Sequence, residues 1–205
     1  MNSFPSNSDP VEDEGARLML AWKAGDEAAF DRIVELYSDR LWALLTRFLG
    51  PRPQREDLVQ EVFLRLVKSK DRYEPTARFS TYLFRIAFNL AVNTGAKASE
   101  RRTERLAQGE NQTDPLTHMA DAAAQEPFLD LERADTVRAV RAAIAALPEQ
   151  QRMALVLAKY HDLPYDQIGE VLGTSEKAVK SLVHRARENL RAALAPYMAK
   201  EVRGS

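Results

Sequence analysis

The chain has 205 residues, room for one or two domains, with 29 Lys and Arg against 30 Asp and Glu and 45% apolar residues. The absence of cysteine excludes a disulfide framework and a thiolate metal site. No stretch approaches the roughly 18 apolar residues of a membrane span, and the apolar content is too high for a wholly disordered chain.

The net charge of −1 conceals segregation. Residues 1–15 carry four acids and no base, residues 16–102 carry 16 bases and 11 acids, residues 103–130 carry one base and six acids, and the remainder carries 12 bases and nine acids. Two basic modules joined by an acidic connector are therefore expected: an acidic tail over 1–15, a first domain over 16–102, a linker over 103–129, a second domain over 130–197 and a tail over 198–205. The opening "MNSFPSNSDPVEDEG" lacks the basic segment and apolar core of a signal peptide, so a cytoplasmic protein is expected.

In chain order, nearly every periodic stretch predicts helix, and strand-like alternation is missing. Asp26 is placed to cap "EAAFDRIVELY", and "DRLWALLTRFLG" continues to a stop at Gly50-Pro51. "QREDLVQEVFLRLVKSK" follows, with an inward face of Leu58, Val59, Val62, Phe63 and Leu66. Its outward face holds Asp57, Gln60, Glu61, Leu64, Arg65 and Lys68. An isolated outward Leu64 is either an ordinary exposed leucine or an apolar point for a protein partner. After a loop at "DRYEPTARF" a further helix is expected from about Ser80, "TYLFRIAFNLAVN", with Gly95 weakening it beyond Asn93 by about 1 kcal/mol relative to Ala. Residues 103–128, rich in Gln, Ala and Asp with two prolines, carry a linker signature. The second module opens with "LDLERADTVRAVRAAIAAL", and Pro148 sits at the first turn of "EQQRMALVLAKYHD", with His161-Asp162 as a turn.

"LPYDQIGEVLGTSEKAVKSLVHRAR" divides into two helices. Gly173 suits the left-handed stop and Ser175 is a good N-cap, which gives the corner of a helix-turn-helix. In the second helix Ala178, Val179, Leu182, Val183, Ala186 and Leu190 form an apolar stripe. From Ser175 to Arg191 five Lys and Arg stand against two Glu, a surplus suited to DNA phosphates and base edges rather than a balanced solvated face. Three histidines, at 118, 161 and 184, are scattered, and there is no HExxH, phosphate loop or nucleophile elbow. No catalytic centre, metal or cofactor is expected.

"EDLVQEVFLRL", then "ARFSTYLFRIAFNLAVN" and, after the connector, "LPEQQRMALVLAKYHDLPYDQIGEVLGTSEKAVKSLVHRARENL" together resemble a bacterial sigma factor of the extracytoplasmic-function (ECF) group, over about residues 16–102 and 130–195. The resemblance implies an all-α fold of two small helical domains, sigma regions 2 and 4, joined by a flexible linker. It implies that Asp57, Gln60, Glu61, Leu64 and Arg65 dock on the β′ clamp helices of RNA polymerase core. It further implies that Arg78, Phe79, Tyr82, Arg85, Phe88, Asn89 and Asn93 capture the −10 promoter element by flipping bases, with the aromatic rings as stacking platforms. The recognition-helix group is then Ser175, Glu176, Lys177, Lys180, Ser181, His184 and Arg185, at the −35 element. Expected partners are the polymerase core (β′ clamp helices and β flap), promoter DNA and an anti-sigma factor, with no membrane insertion. Family members often carry Arg where this chain has Phe88 or Leu182, and a basic run earlier than Lys97, Arg101 and Arg102. A stand-alone helix-turn-helix regulator would leave "DLVQEVFLRL" without a role. A sigma-like mimic that titrates an anti-sigma factor would keep the helices and give up basic side chains that meet DNA.

Overall fold

A computed structural model describes residues 13–50, 55–107 and 131–201, with side chains over 13–50, 55–95 and 136–197. The elements are α1 (Glu14–Lys23), α2 (Glu27–Leu49), α3 (Arg55–Ser69), a 3₁₀ turn (Lys70–Arg72), α4 (Phe79–Ala107), α5 (Leu131–Ala145), α6 (Glu149–Tyr160), α7 (Tyr165–Leu172) and α8 (Glu176–Glu201). No strand occurs among the described residues, in keeping with the all-α expectation.

Short acidic side chains set the helix starts. The carboxylate of Asp26 accepts a bond from the Ala28 amide at 3.1 Å, the cap expected from the sequence. Asp13 serves two elements: one oxygen accepts from the Gly15 amide at 3.0 Å and the other from the Phe79 amide at 2.6 Å, which ties the start of α1 to that of α4. Residues 13–15, expected in an acidic tail, therefore belong to the fold. The two expected stretches of α2 form one unbroken helix, stopped at Gly50 with φ 75°. Gly95 does not end α4, because burial along the preceding turns outweighs a propensity penalty of about 1 kcal/mol. The helix reaches Ala107, so residues 103–107 of the expected linker are helical; residues 108–129 and His118 lie outside the described residues, as do residues 1–12 and 202–205.

The two modules do not stand apart. One continuous core runs from Met19, Ile33, Leu44 and Phe84 in the first to Met153, Leu157, Ile168 and Val179 in the second. Helix α4 lies against α7, and α2 against α6. The joint is also polar. Arg152 donates to the Phe48 carbonyl at 2.9 Å and covers the Phe48 ring at 5.0 Å, while Arg47 lies 4.5 Å from the centre of the Tyr160 ring. A second, smaller cluster of Leu147, Leu155 and Ala186, with Leu190 against it, holds α8 to the preceding helices.

Candidate nucleic-acid interface

Helix α3 buries Leu58, Val62, Phe63 and Leu66, keeps Val59 half-buried against the same core, and turns its polar residues and Leu64 outward. Leu64 is 53% exposed, the most exposed of the large apolar side chains among the described residues. Asp57 and Gln60 are exposed beside it, and Arg65 Nε meets Glu61 Oε1 at 3.0 Å. This is an apolar point in a polar ring, held on a rigid helix.

A second surface lies where the loop of residues 73–78 meets α4. Tyr73, Glu74, Thr76, Ala77, Thr81, Tyr82 and Arg85 line a cleft of about 230 Å³ whose remaining wall is Glu170 of α7. Tyr82 is half-buried, edge-on to Tyr73 at 5.3 Å, and the Arg85 guanidinium lies 5.7 Å from the Tyr82 ring centre. A ring, a guanidinium and hydroxyls around a concave space suit a planar base and its phosphate. Asn89 and Asn93 are exposed further along α4, and Arg78 is half-buried at its start.

Phe79 and Phe88 depart from expectation. Phe79 is 0% exposed, wedged between Tyr37 (5.1 Å) and Tyr73 (6.0 Å), and Phe88 packs edge-on to Phe48 at 5.9 Å. Both rings belong to the core, because α4 must bury an apolar face against α1 and α2, and neither offers a face for stacking. Sequence reading missed Tyr73, Thr81 and Glu170. Tyr73 sits in a stretch that reads only as loop, and its buried hydroxyl has no hydrogen-bond partner among the described residues. Burial above all, with the Asp13 carboxylate adding to it, pushes that phenol well above its ordinary range.

The third surface is the outer side of α8. The corner before it is tight: Gly173 adopts φ 65°, the Thr174 amide donates to the Gly169 carbonyl at 2.8 Å, and the Ser175 hydroxyl accepts from the Ala178 amide at 3.2 Å. Val179, Val183 and Ala186 are buried, whereas Ser175, Glu176, Lys177, Lys180, Ser181, His184 and Arg185 are all exposed on one side. Lys180 Nζ meets Glu176 Oε1 at 2.6 Å, and that hydrogen bond raises the Lys180 pKa. Leu182 is half-buried against the core, so its apolar character serves packing.

Between the second and third surfaces, α7 presses on α4. The Thr81 hydroxyl donates to Gln167 Oε1 at 3.4 Å, and the His161 ring is edge-on to Phe84 at 5.0 Å. The Glu170 carboxyl is raised from its ordinary value by burial first and by Asp166 second, with Arg85 opposing.

Comparison with known proteins places these surfaces in context. Residues 33–102 match the family described as sigma-70 region 2, and residues 137–190 match sigma-70, region 4. The chain is 32% identical to the ECF RNA polymerase sigma factor SigW of Bacillus subtilis, over 82% of this chain and 90% of that protein. It is 31% identical to the ECF RNA polymerase sigma-E factor of Haemophilus influenzae, over 85% and 92% of the two chains. Among solved structures, CnrH in complex with the cytosolic domain of CnrY superposes with a TM-score of 0.64 at 24% identity, over 92% of this chain and 99% of that one. The sigma factor RpoE in complex with the anti-sigma factor NepR from Bartonella quintana gives 0.62 at 23%, over 81% and 96%. At those identities the two structures speak for the fold.

Proposed function

The chain belongs to the ECF group of sigma-70 factors, and we propose that its three surfaces divide the work of a transcription initiation factor among them. It binds RNA polymerase core, recognises promoter DNA and promotes its opening; its role is that of a specificity subunit and not of a catalyst. The face of Asp57, Gln60, Glu61, Leu64 and Arg65 docks on the β′ clamp helices. The cleft beside α4 takes a base of the −10 element through Tyr82 and Arg85, while Arg78, just before α4, and Asn89 and Asn93, further along it, meet the strand outside the cleft. The outer side of α8, from Ser175 to Arg185, enters the major groove at the −35 element while its module rests on the β flap. The domains so defined are 16–102 and 130–197, with α1 and its Asp13 cap added to the first.

The observation that carries this reading is the presence, in one chain and in the family's order, of an exposed apolar point on α3, a base-sized cleft and a helix-turn-helix with a basic outer face. An anti-sigma protein is the further partner we infer, since both structural neighbours have a bound partner and one of those partners is named an anti-sigma factor. The site of action is the cytoplasm, where the polymerase is; no helix among the described residues is long and apolar enough to cross a membrane. The test is reconstitution with sigma-free core polymerase on a genomic fragment library. Discrete transcript starts sharing two upstream elements are expected. Lys180→Ala with Arg185→Ala should cost about 1–3 kcal/mol at the farther element for each side chain that reads a base edge there. Core polymerase that starts no transcripts with this chain present refutes the reading.

A further inference from the structure

On the basic outer side of α8 one side chain has the wrong sign for DNA. Glu176 is the first residue of the helix, directly after the Ser175 cap, and is exposed on the same side as Lys177, Lys180, His184 and Arg185. A carboxylate there repels every phosphate it approaches, so it opposes binding to any sequence unless it meets a donor on a base. An acid in a first turn also suits the helix dipole and a pair four residues on, but those effects carry no base preference. The backbone beneath Glu176 is held firmly. Gly169 lets α7 lie directly on the corner, where an added Cβ would stand 2.6 Å from the Thr174 carbonyl oxygen and 3.6 Å from the Glu176 nitrogen.

Recognition helices bring their N-terminal residues to base edges, and at that end Glu176 Oε1 accepts from Lys180 Nζ at 2.6 Å. The bond leaves two N–H donors on Lys180 and a second acceptor oxygen on Glu176. The pair therefore presents two donors beside one acceptor. A guanine–cytosine pair presents the complement in the major groove: the N7 and O6 acceptors of guanine side by side, then the N4 donor of cytosine. An adenine–thymine pair sets its amino donor between two acceptors, so Lys180 could use only one N–H there. We propose that Glu176 is a specificity-determining residue of α8, acting with Lys180 as one hydrogen-bonding unit that reads a guanine–cytosine pair in the upstream promoter element. Lys180 donates to guanine O6 and N7, and the free oxygen of Glu176 accepts from cytosine N4. The same carboxylate keeps Lys180 from phosphates of arbitrary sequence, so affinity lost on random DNA reappears as discrimination at one position.

The proposal rests on the assignment of α8 to the −35 element, and the experiment separates the two. The full chain is assembled with core polymerase on a promoter located by transcript mapping. Each base pair of the upstream element is varied in turn, and bound and free duplexes are counted by sequencing. At one position a guanine–cytosine pair should be preferred, and Glu176→Gln should reduce that preference about tenfold while leaving the other positions as they are. Lys180→Ala should flatten the same position, and the double variant should flatten it no further. Glu176→Gln should also tighten binding to duplex that lacks the element. Glu188→Gln is the control for charge: it removes a carboxylate about 18 Å further along α8, the partner of His184 at 3.3 Å, and should leave the Glu176-dependent position untouched. A Glu176→Gln variant that alters no preference, or lowers all alike, makes Glu176 a helix-stabilising acid and overturns the proposal. Equal flattening by Glu188→Gln overturns it as a plain effect of charge, and so does a Glu176-dependent position that prefers adenine–thymine. Upstream preferences that survive Lys180→Ala, His184→Ala and Arg185→Ala together overturn the −35 assignment itself, and the proposal with it.

Discussion

His161 ends α6 with its ring edge-on to Phe84 and its buried Nε2 without a hydrogen-bond partner among the described residues, a costly position for a group that can charge. Burial first, then the nearby Arg40 and Arg47 guanidiniums of α2, push its pKa down to about 4, with Asp162 opposing. An unfolded or opened chain takes the same proton near the ordinary value of about 6.5. The folded state is therefore favoured fully above about pH 6.5, and loses ground as the pH falls towards 4. The slope cannot exceed about 1.4 kcal/mol per pH unit, and solvent screening of the partly exposed ring reduces it. Glu170, whose carboxyl is raised, offsets part of the loss at the acid end of that window. Thermal unfolding should thus shift down between pH 7 and pH 5.5 in the natural chain and shift much less in His161→Leu; an equal shift in both would place the acid sensitivity elsewhere. From sequence His161 is only a turn residue, since nothing local signals that Phe84, far away in the chain, closes over it.

At the scale of elements, two glycines predict opposite outcomes. At Gly95, within α4, an added Cβ would meet nothing nearer than Glu149 Oε1 at 3.7 Å, so Gly95→Ala should stabilise the chain by about 0.5–1 kcal/mol through helix propensity and a less entropic unfolded state. At Gly169, in α7, the same Cβ would stand 2.6 Å from the Thr174 carbonyl oxygen, which belongs to the backbone of the corner. Gly169→Ala should therefore cost about 1–3 kcal/mol and loosen the setting of α8 on α7. Urea unfolding of the two variants checks both signs. The outward face of α3 carries the third expectation: Leu64→Glu with Gln60→Arg should weaken binding to core polymerase severalfold at unchanged helicity, because neither side chain is buried. A fall in helicity would make Leu64 a structural residue instead.

At the scale of the molecule, the proposed division of labour requires the joint between α2, α4, α6 and α7 to part before both promoter elements are held at once, with residues 108–130 joining the two modules across the opening. Fully extended, that stretch reaches roughly 75–80 Å at about 3.4 Å per residue, and removing about 12 of its residues leaves under roughly 40 Å. A promoter spacer extends over some tens of ångströms, each base pair adding about 3.4 Å. The shortened chain should keep the helicity and melting temperature of the closed form while promoter-specific transcription falls. Full transcription after the deletion would show that this stretch spans nothing in the initiating complex.

The presence of the helices from α2 onward, the Asp26 and Ser175 caps, the Gly173 corner, the inward and outward faces of α3 and the basic outer side of α8 were legible in the sequence, whereas α1 and the last turns of α4 were not. Each legible feature depends on residues within a few positions of one another, where periodicity and capping chemistry act. The burial of Phe79 and Phe88, the tie from Asp13 to Phe79, the neutral His161 and the Glu170 wall of the cleft were not. Each is made by residues distant in sequence, and two aromatic side chains at helical spacing look alike whether they face a base or a core. Charge segregation correctly marked two modules, but charge does not reveal whether modules touch. That was decided by apolar area: α4 and α7 each keep an uncovered face within their own module, and the water-excluding solution is to cover one with the other.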